Sequence, residues 1–162
     1  PLLARGGRHT HAVTAFVTAG GGFLLAVLWF DLMFDVQTLR HRQGPIPESV
    51  LESIAAYYRR VTTAARPMNR LVALVVLGTL IALVLQAVQD DAPRWAAITS
   101  LVLTVVAIGL AAIRTVRHAQ RLGTRADPID GQGELARGIC RDHLVCVALV
   151  VAALVVQLGF AR

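Results

Sequence analysis

Four runs without a single charged residue punctuate the chain: 12–30, 71–89, 95–113 and 144–161. Each approaches the roughly 20 residues that a helix needs to cross a bilayer core. The pattern predicts spans at about 12–34, 68–89, 95–117 and 143–161. The fold class expected is all-α: one four-helix transmembrane bundle over residues 1–162, with a cytosolic amphipathic interfacial helix between the first two spans.

That extra helix is read from residues 47–66. Pro47-Glu48 suits a first turn, with the acid near the positive end of the helix dipole. Val50, Leu51, Ile54, Tyr58, Val61 and Ala65 then recur with helical period, while Glu52, Ser53, Arg59, Arg60 and Arg66 occupy the polar positions. Such a helix lies along the inner membrane surface, and Pro67 ends it. The other connections read as a basic leader at Pro1 to His11, turns at Arg40 to Pro45 and Asp90 to Arg94, and a polar loop from Arg114 to Asp142. Within that loop Asp127-Pro128 and Asp130-Gly131-Gln132-Gly133 are turn chemistry. The short second turn calls for a hairpin between spans 2 and 3.

Inside the spans, small and hydroxyl residues form stripes that let helices approach closely. Thr14, Thr18, Gly22 and Ala26 mark the expected contact face of span 1, with Leu24 away from it. Gly78, Ala82 and Gln86 mark span 2. Ala97, Ser100, Thr104, Ala107 and Ala111 mark span 3, and extending that helix brings His118 onto the same face.

Composition agrees: 56% of the 162 residues are hydrophobic and the mean hydropathy is +0.61. All 16 basic residues are arginine, as in a GC-rich genome. A net charge of +6 does not point to nucleic acid, because the arginines sit between apolar runs, where the positive-inside bias accounts for them. Twelve arginines follow spans 1 and 3 and four lie on the other side, so the large loops are expected in the cytoplasm and both termini outside, in a bacterial inner membrane. Cys140 and Cys146 would lie about 9 Å apart along a helix, too far for a disulfide, and read as packing residues.

Asp31 and Asp35 are the chemically informative pair. Four residues apart, they share one face at the boundary of span 1, where acids demand partners. Antiparallel spans would gather Asp31, Asp35, His118, Cys140 and His143 at one depth. Asp31, Asp35, His118 and His143 are the candidate metal ligands, although neither Glu-x-x-His nor His-x-x-x-His spacing occurs. A haem between His118 and His143 is the other cofactor these residue types allow. The alternative is neutralisation by Arg70 or Arg141. Asp31 and His143 are the candidate catalytic residues, with Tyr58 and Trp29 as substrate contacts. Tyr57 and Tyr58 otherwise serve as aromatic anchors, with one hydroxyl in range of Asp31.

Three motifs carry a resemblance. The Tyr58-Arg59-Arg60 segment, Pro67-Met68 opening span 2 and His143-Leu144-Val145 opening span 4 resemble the anthrone-oxygenase-like family of small four-span proteins. The resemblance implies oxygenase-like or redox chemistry on a hydrophobic substrate. That family places tryptophan-asparagine before the histidine and arginine after it. Here Arg141-Asp142 and Cys146 stand there, so only His143 carries over.

The leading expectation is an accessory or assembly subunit of a larger membrane complex, because small-residue stripes abound and no catalytic motif is complete. Its partners are the lipid bilayer and other membrane subunits or further copies of itself, not nucleic acid. A small membrane enzyme with its site at the inner ends of spans 1, 3 and 4 is the alternative. A transporter is disfavoured, because no charge sits at mid-depth and no inverted repeat is present.

Overall fold

The computed structural model describes residues 3–88 and 93–161, with side chains from residue 12 onward. The leader side chains Arg5, Arg8, His9 and His11, the Asp90-Asp91-Ala92 turn with its hairpin, and Arg162 lie outside the described residues.

Every described element is helical. They are α1 (Leu3–Asp35), a 3-10 turn (Val36–His41), α2 (Glu48–Thr63), α3 (Arg66–Val88), α4 (Arg94–Leu110), a π-helical turn (Ala111–Thr115), α5 (Val116–Thr124) and α6 (Ile129–Phe160). Four stretches are long and apolar enough to cross a membrane: Ala12–His41, Arg66–Val88, Arg94–Thr124 and Ile129–Phe160. They form an all-helical transmembrane bundle. The segment expected as a polar loop, Arg114 to Asp142, is instead helical except at residues 125–128. Its charges form one side of a helix whose other side buries Leu135, Ala136, Ile139 and Cys140. A break does fall at Asp127-Pro128, after Arg125 takes the left-handed conformation (φ 52°) that closes α5. Gly131 and Gly133 lie inside the first turns of α6, not in a loop.

The chain groups into two compact units: residues 1–26, 71–107 and 148–162, and residues 27–70 and 108–147. In the first unit α1, α3, α4 and α6 pack through small residues and polar pairs. Where lipid is as apolar as the helices, close packing and hydrogen bonds supply the association energy. Gly20 accommodates Thr79 of α3, and Gly21 accommodates Leu154 of α6. Gln86 and Gln157 exchange amide hydrogen bonds at 3.2 and 3.0 Å, and Gln86 also donates to Thr14 Oγ1. Ser100 donates to the Ala153 carbonyl, and Trp95 packs on Phe160. Ala97, Ser100, Thr104 and Ala107 are buried, as their stripe predicts.

Helix α1 departs from its predicted face. Val17, Gly20 and Leu24 are buried, whereas Gly22 and Ala26 are exposed and a Cβ on Gly22 would meet nothing. Three consecutive glycines offer two possible faces, and residue size alone cannot choose between them.

The second unit is built around α2. Ile46, Leu51, Ile54, Ala55 and Tyr58 form one apolar cluster with Ala119 and Leu122 of α5 and Leu135, Ala136 and Ile139 of α6. The amphipathic stripe of α2 is thus covered by protein. Fully buried leucine or isoleucine side chains contribute about 1.5–3 kcal/mol each. Gly123 brings α5 to within 3.1 Å, Cβ position to backbone nitrogen, of Arg59. The Arg125–Glu48 ion pair at 3.1 Å fastens the start of α2 to the end of α5.

Candidate functional site

The last turn of α1 presents Asp31 and Asp35, α2 presents the adjacent Tyr57 and Tyr58, and α6 presents His143. Neighbouring residues on a helix point about 100° apart, so the two tyrosines reach different acids. Tyr57 donates to Asp31 Oδ1 at 2.6 Å and Tyr58 to Asp35 Oδ1 at 2.7 Å. Between the acids lies the imidazole of His143, its Nδ1 2.6 Å from Asp35 Oδ2 and its Nε2 3.7 Å from Asp31 Oδ2. Its two ring nitrogens thus face the two acids separately, the closer one within hydrogen-bond distance of Asp35.

Burial makes the arrangement consequential. Asp35 is wholly buried, and Tyr58 and His143 nearly so. Such groups are tolerated only when partnered. Thr38 donates to the Asp35 carbonyl at 2.7 Å and ties the 3-10 turn to the end of α1. Phe34 stacks on Tyr57 with ring centroids 4.0 Å apart, fixing its orientation. Burial, reinforced by the hydrogen bond to Asp31, pushes the Tyr57 phenol above the ordinary tyrosine range. Burial, followed by the charge of Asp35, does the same to Tyr58. Both hydroxyls therefore remain donors at neutral pH.

Of the residues singled out from sequence, Asp31, Asp35, Tyr58 and His143 meet here. Trp29 is exposed. His118 lies apart, over Gly138 of α6. The π-helical turn at Ala111–Thr115 adds a residue to the register, so Thr115, Ala119 and Leu122 take the buried face and His118 falls to its margin. The expected ligand set of Asp31, Asp35, His118 and His143 is thus not assembled as four. Among the described residues no three His, Cys, Asp or Glu side chains are placed to hold a metal ion. The reason is local: the two nitrogens of His143 face different carboxylates. Arg70 and Arg141 do not neutralise the acids; Arg70 is exposed, and Arg141 faces Asp142 at 4.0 Å. Cys140 and Cys146 are both buried.

Two participants were legible only in part. Tyr57 read first as a membrane anchor, with one hydroxyl of the Tyr57-Tyr58 pair in range of Asp31, and it is the Tyr57 hydroxyl that reaches that acid. Asp142, nearly buried, pairs with Arg114 at 3.1 Å; its place between Arg141 and His143 was the only hint.

No curated protein and no solved structure matches this chain. A family profile does: that of the SHR3 chaperones, described as ER membrane protein SH3, matches residues 9–161. It overturns the resemblance to the anthrone-oxygenase-like family, and with it the oxygenase-like reading. The motifs behind that resemblance have local explanations. Tyr58 and His143 serve the buried network, and Pro67 occupies the first turn of α3, where proline is well tolerated. The expectation of a bacterial inner membrane falls as well, because the matching family is one of ER membrane proteins; arginine usage reports genome composition and not compartment. The match covers all four spans and α2, and the chain belongs to the SHR3 chaperone family.

Proposed function

We propose that this chain acts as a chaperone or assembly subunit for other membrane proteins in the endoplasmic reticulum membrane. In this reading Asp31, Asp35, Tyr57, Tyr58 and His143 clamp α2 to the ends of α1 and α6 and perform no catalysis. The observation that carries the proposal is the family match over residues 9–161. The network supports the structural role, because three of the four carboxylate oxygens of Asp31 and Asp35 are hydrogen-bonded within the cluster and the fourth, Asp31 Oδ2, lies 3.7 Å from His143 Nε2. The outward side of α1 suits a client: Ala15, Ala19, Gly22 and Ala26 are all exposed, at a spacing that lets a second transmembrane helix approach closely.

The test is a comparison of cells with and without the chain. Polytopic membrane proteins in the endoplasmic reticulum fraction are resolved on native gels after mild detergent extraction. Loss of the chain is expected to move a subset of them into high-molecular-weight aggregates, and the tagged chain is expected to crosslink to the same subset. Unchanged gels together with no crosslinked membrane protein would overturn the proposal.

A further inference from the structure

The second unit contains a groove of about 540 Å³ between α5 and the first half of α6, separate from the buried network. Arg114, Arg121, Arg137 and Arg141 line it, together with His118. We propose that this groove binds the phosphate of an anionic lipid headgroup.

The charge balance favours an anion. Arg121 pairs with Asp127 at 2.6 Å and Arg114 with Asp142 at 3.1 Å, while Glu134 also lines the groove. Four guanidinium groups thus meet three carboxylates. Arg137 donates to the carbonyls of His41 and Gly44, which are neutral, so its position is fixed while its charge is not cancelled. Arg141 is two-thirds exposed and shares Asp142 with Arg114 at the longer distance of 4.0 Å. Its guanidinium is available to a phosphate, to which arginine bonds through paired N–H groups.

Depth selects a lipid as the source of that phosphate. Arg114 directly follows the uncharged run 95–113, and Arg141 stands three residues before the run 144–161. The groove therefore opens where acyl chains give way to headgroups. Ile113 and Leu144, beside these positions, are exposed and apolar, as an acyl chain requires. Basic pockets among transmembrane helices at this level suit anionic headgroups, and each arginine near the surface is worth about a fivefold gain in binding.

The test uses the full chain purified in a mild uncharged detergent. It is offered equal amounts of dioctanoyl phosphatidic acid and dioctanoyl phosphatidylcholine, and retained lipid is counted by native mass spectrometry. Phosphatidic acid is expected to be retained over phosphatidylcholine. Arg141→Gln and Arg121→Gln should each lower that retention by about fivefold, while Arg60→Gln, exposed on α2, should not; unchanged thermal midpoints establish that the variants are folded. Equal retention of the two lipids, or retention indifferent to both groove variants, overturns the proposal. So does displacement of phosphatidic acid by inorganic phosphate at equal concentration, which identifies a site for free anions.

Discussion

Asp35 and His143, 108 residues apart in the chain, meet at 2.6 Å in a region from which water is excluded. A buried carboxylate is stable only while its donors persist. Asp35→Asn keeps the volume but removes the charge facing both the imidazole and Tyr58. It should destabilise the protein by about 3–5 kcal/mol. Asp31, with its side chain part-exposed and the imidazole at 3.7 Å, should cost clearly less when changed to Asn. Unfolding in mixed detergent measures both, and an inverted order would mean that Asp31 is the anchor.

Tyr58→Phe leaves Asp35 Oδ1 without its phenol donor. A loss of about 1–3 kcal/mol is expected. In a double-mutant cycle with Asp35→Asn the two losses should not add, because they share one hydrogen bond. Additive losses would show that the phenol is stabilised by something other than Asp35.

Alkaline pH offers a direct optical readout, because Tyr57 and Tyr58 are the only two tyrosines in the chain. Both phenols titrate above their unfolded value, which is about 10. A raised pKa in the folded state favours the protonated form, so the contribution to stability is complete below pH of about 10 and is lost as pH rises beyond it. Phenolate absorbance should therefore stay flat past the ordinary tyrosine range and then rise together with unfolding. Ionisation of either tyrosine at its ordinary pH in the folded protein would contradict the buried network.

Neighbouring glycines of α1 should respond in opposite ways. A methyl group on Gly20 would overlap Thr79 Oγ1, whereas one on Gly22 would meet nothing within 4 Å. Gly20→Ala is expected to cost about 1–3 kcal/mol through overpacking. Gly22→Leu should leave thermal stability unchanged while weakening crosslinking to client membrane proteins. Stability that fell more for Gly22→Leu would show that the other face of α1 is buried.

Gly123 holds α5 against the backbone of α2, where an added Cβ would lie 3.1–3.2 Å from Arg59 N and Cα. Backbone yields less readily than a flexible side chain, so Gly123→Val should lower stability by at least about 1–3 kcal/mol and increase proteolysis between α2 and α3. Resistance to protease equal to that of the unaltered chain would mean that α2 is held by its apolar cluster alone.

The four spans and the extra amphipathic helix were legible in the residue pattern, because a bilayer core requires long apolar helices and a helix at its edge must alternate faces with period 3.6. The same pattern also determined that Asp31 and Asp35 needed partners, since carboxylates at the edge of hydrocarbon are costly. Tertiary structure decided the partners. Tyr57, Tyr58 and His143 satisfy the acids in place of Arg70 or Arg141, because helices distant in sequence bring those side chains within 4 Å and leave the arginines outside. It also decided which face of α1 is buried: within an apolar span lipid and protein are equally oily, so hydropathy carries no signal and only the fit of Gly20 to Thr79 and Gly21 to Leu154 makes the choice. His118 shows the same limit, because one π-helical turn shifted the register that places it, and such a turn leaves no mark in the residue pattern.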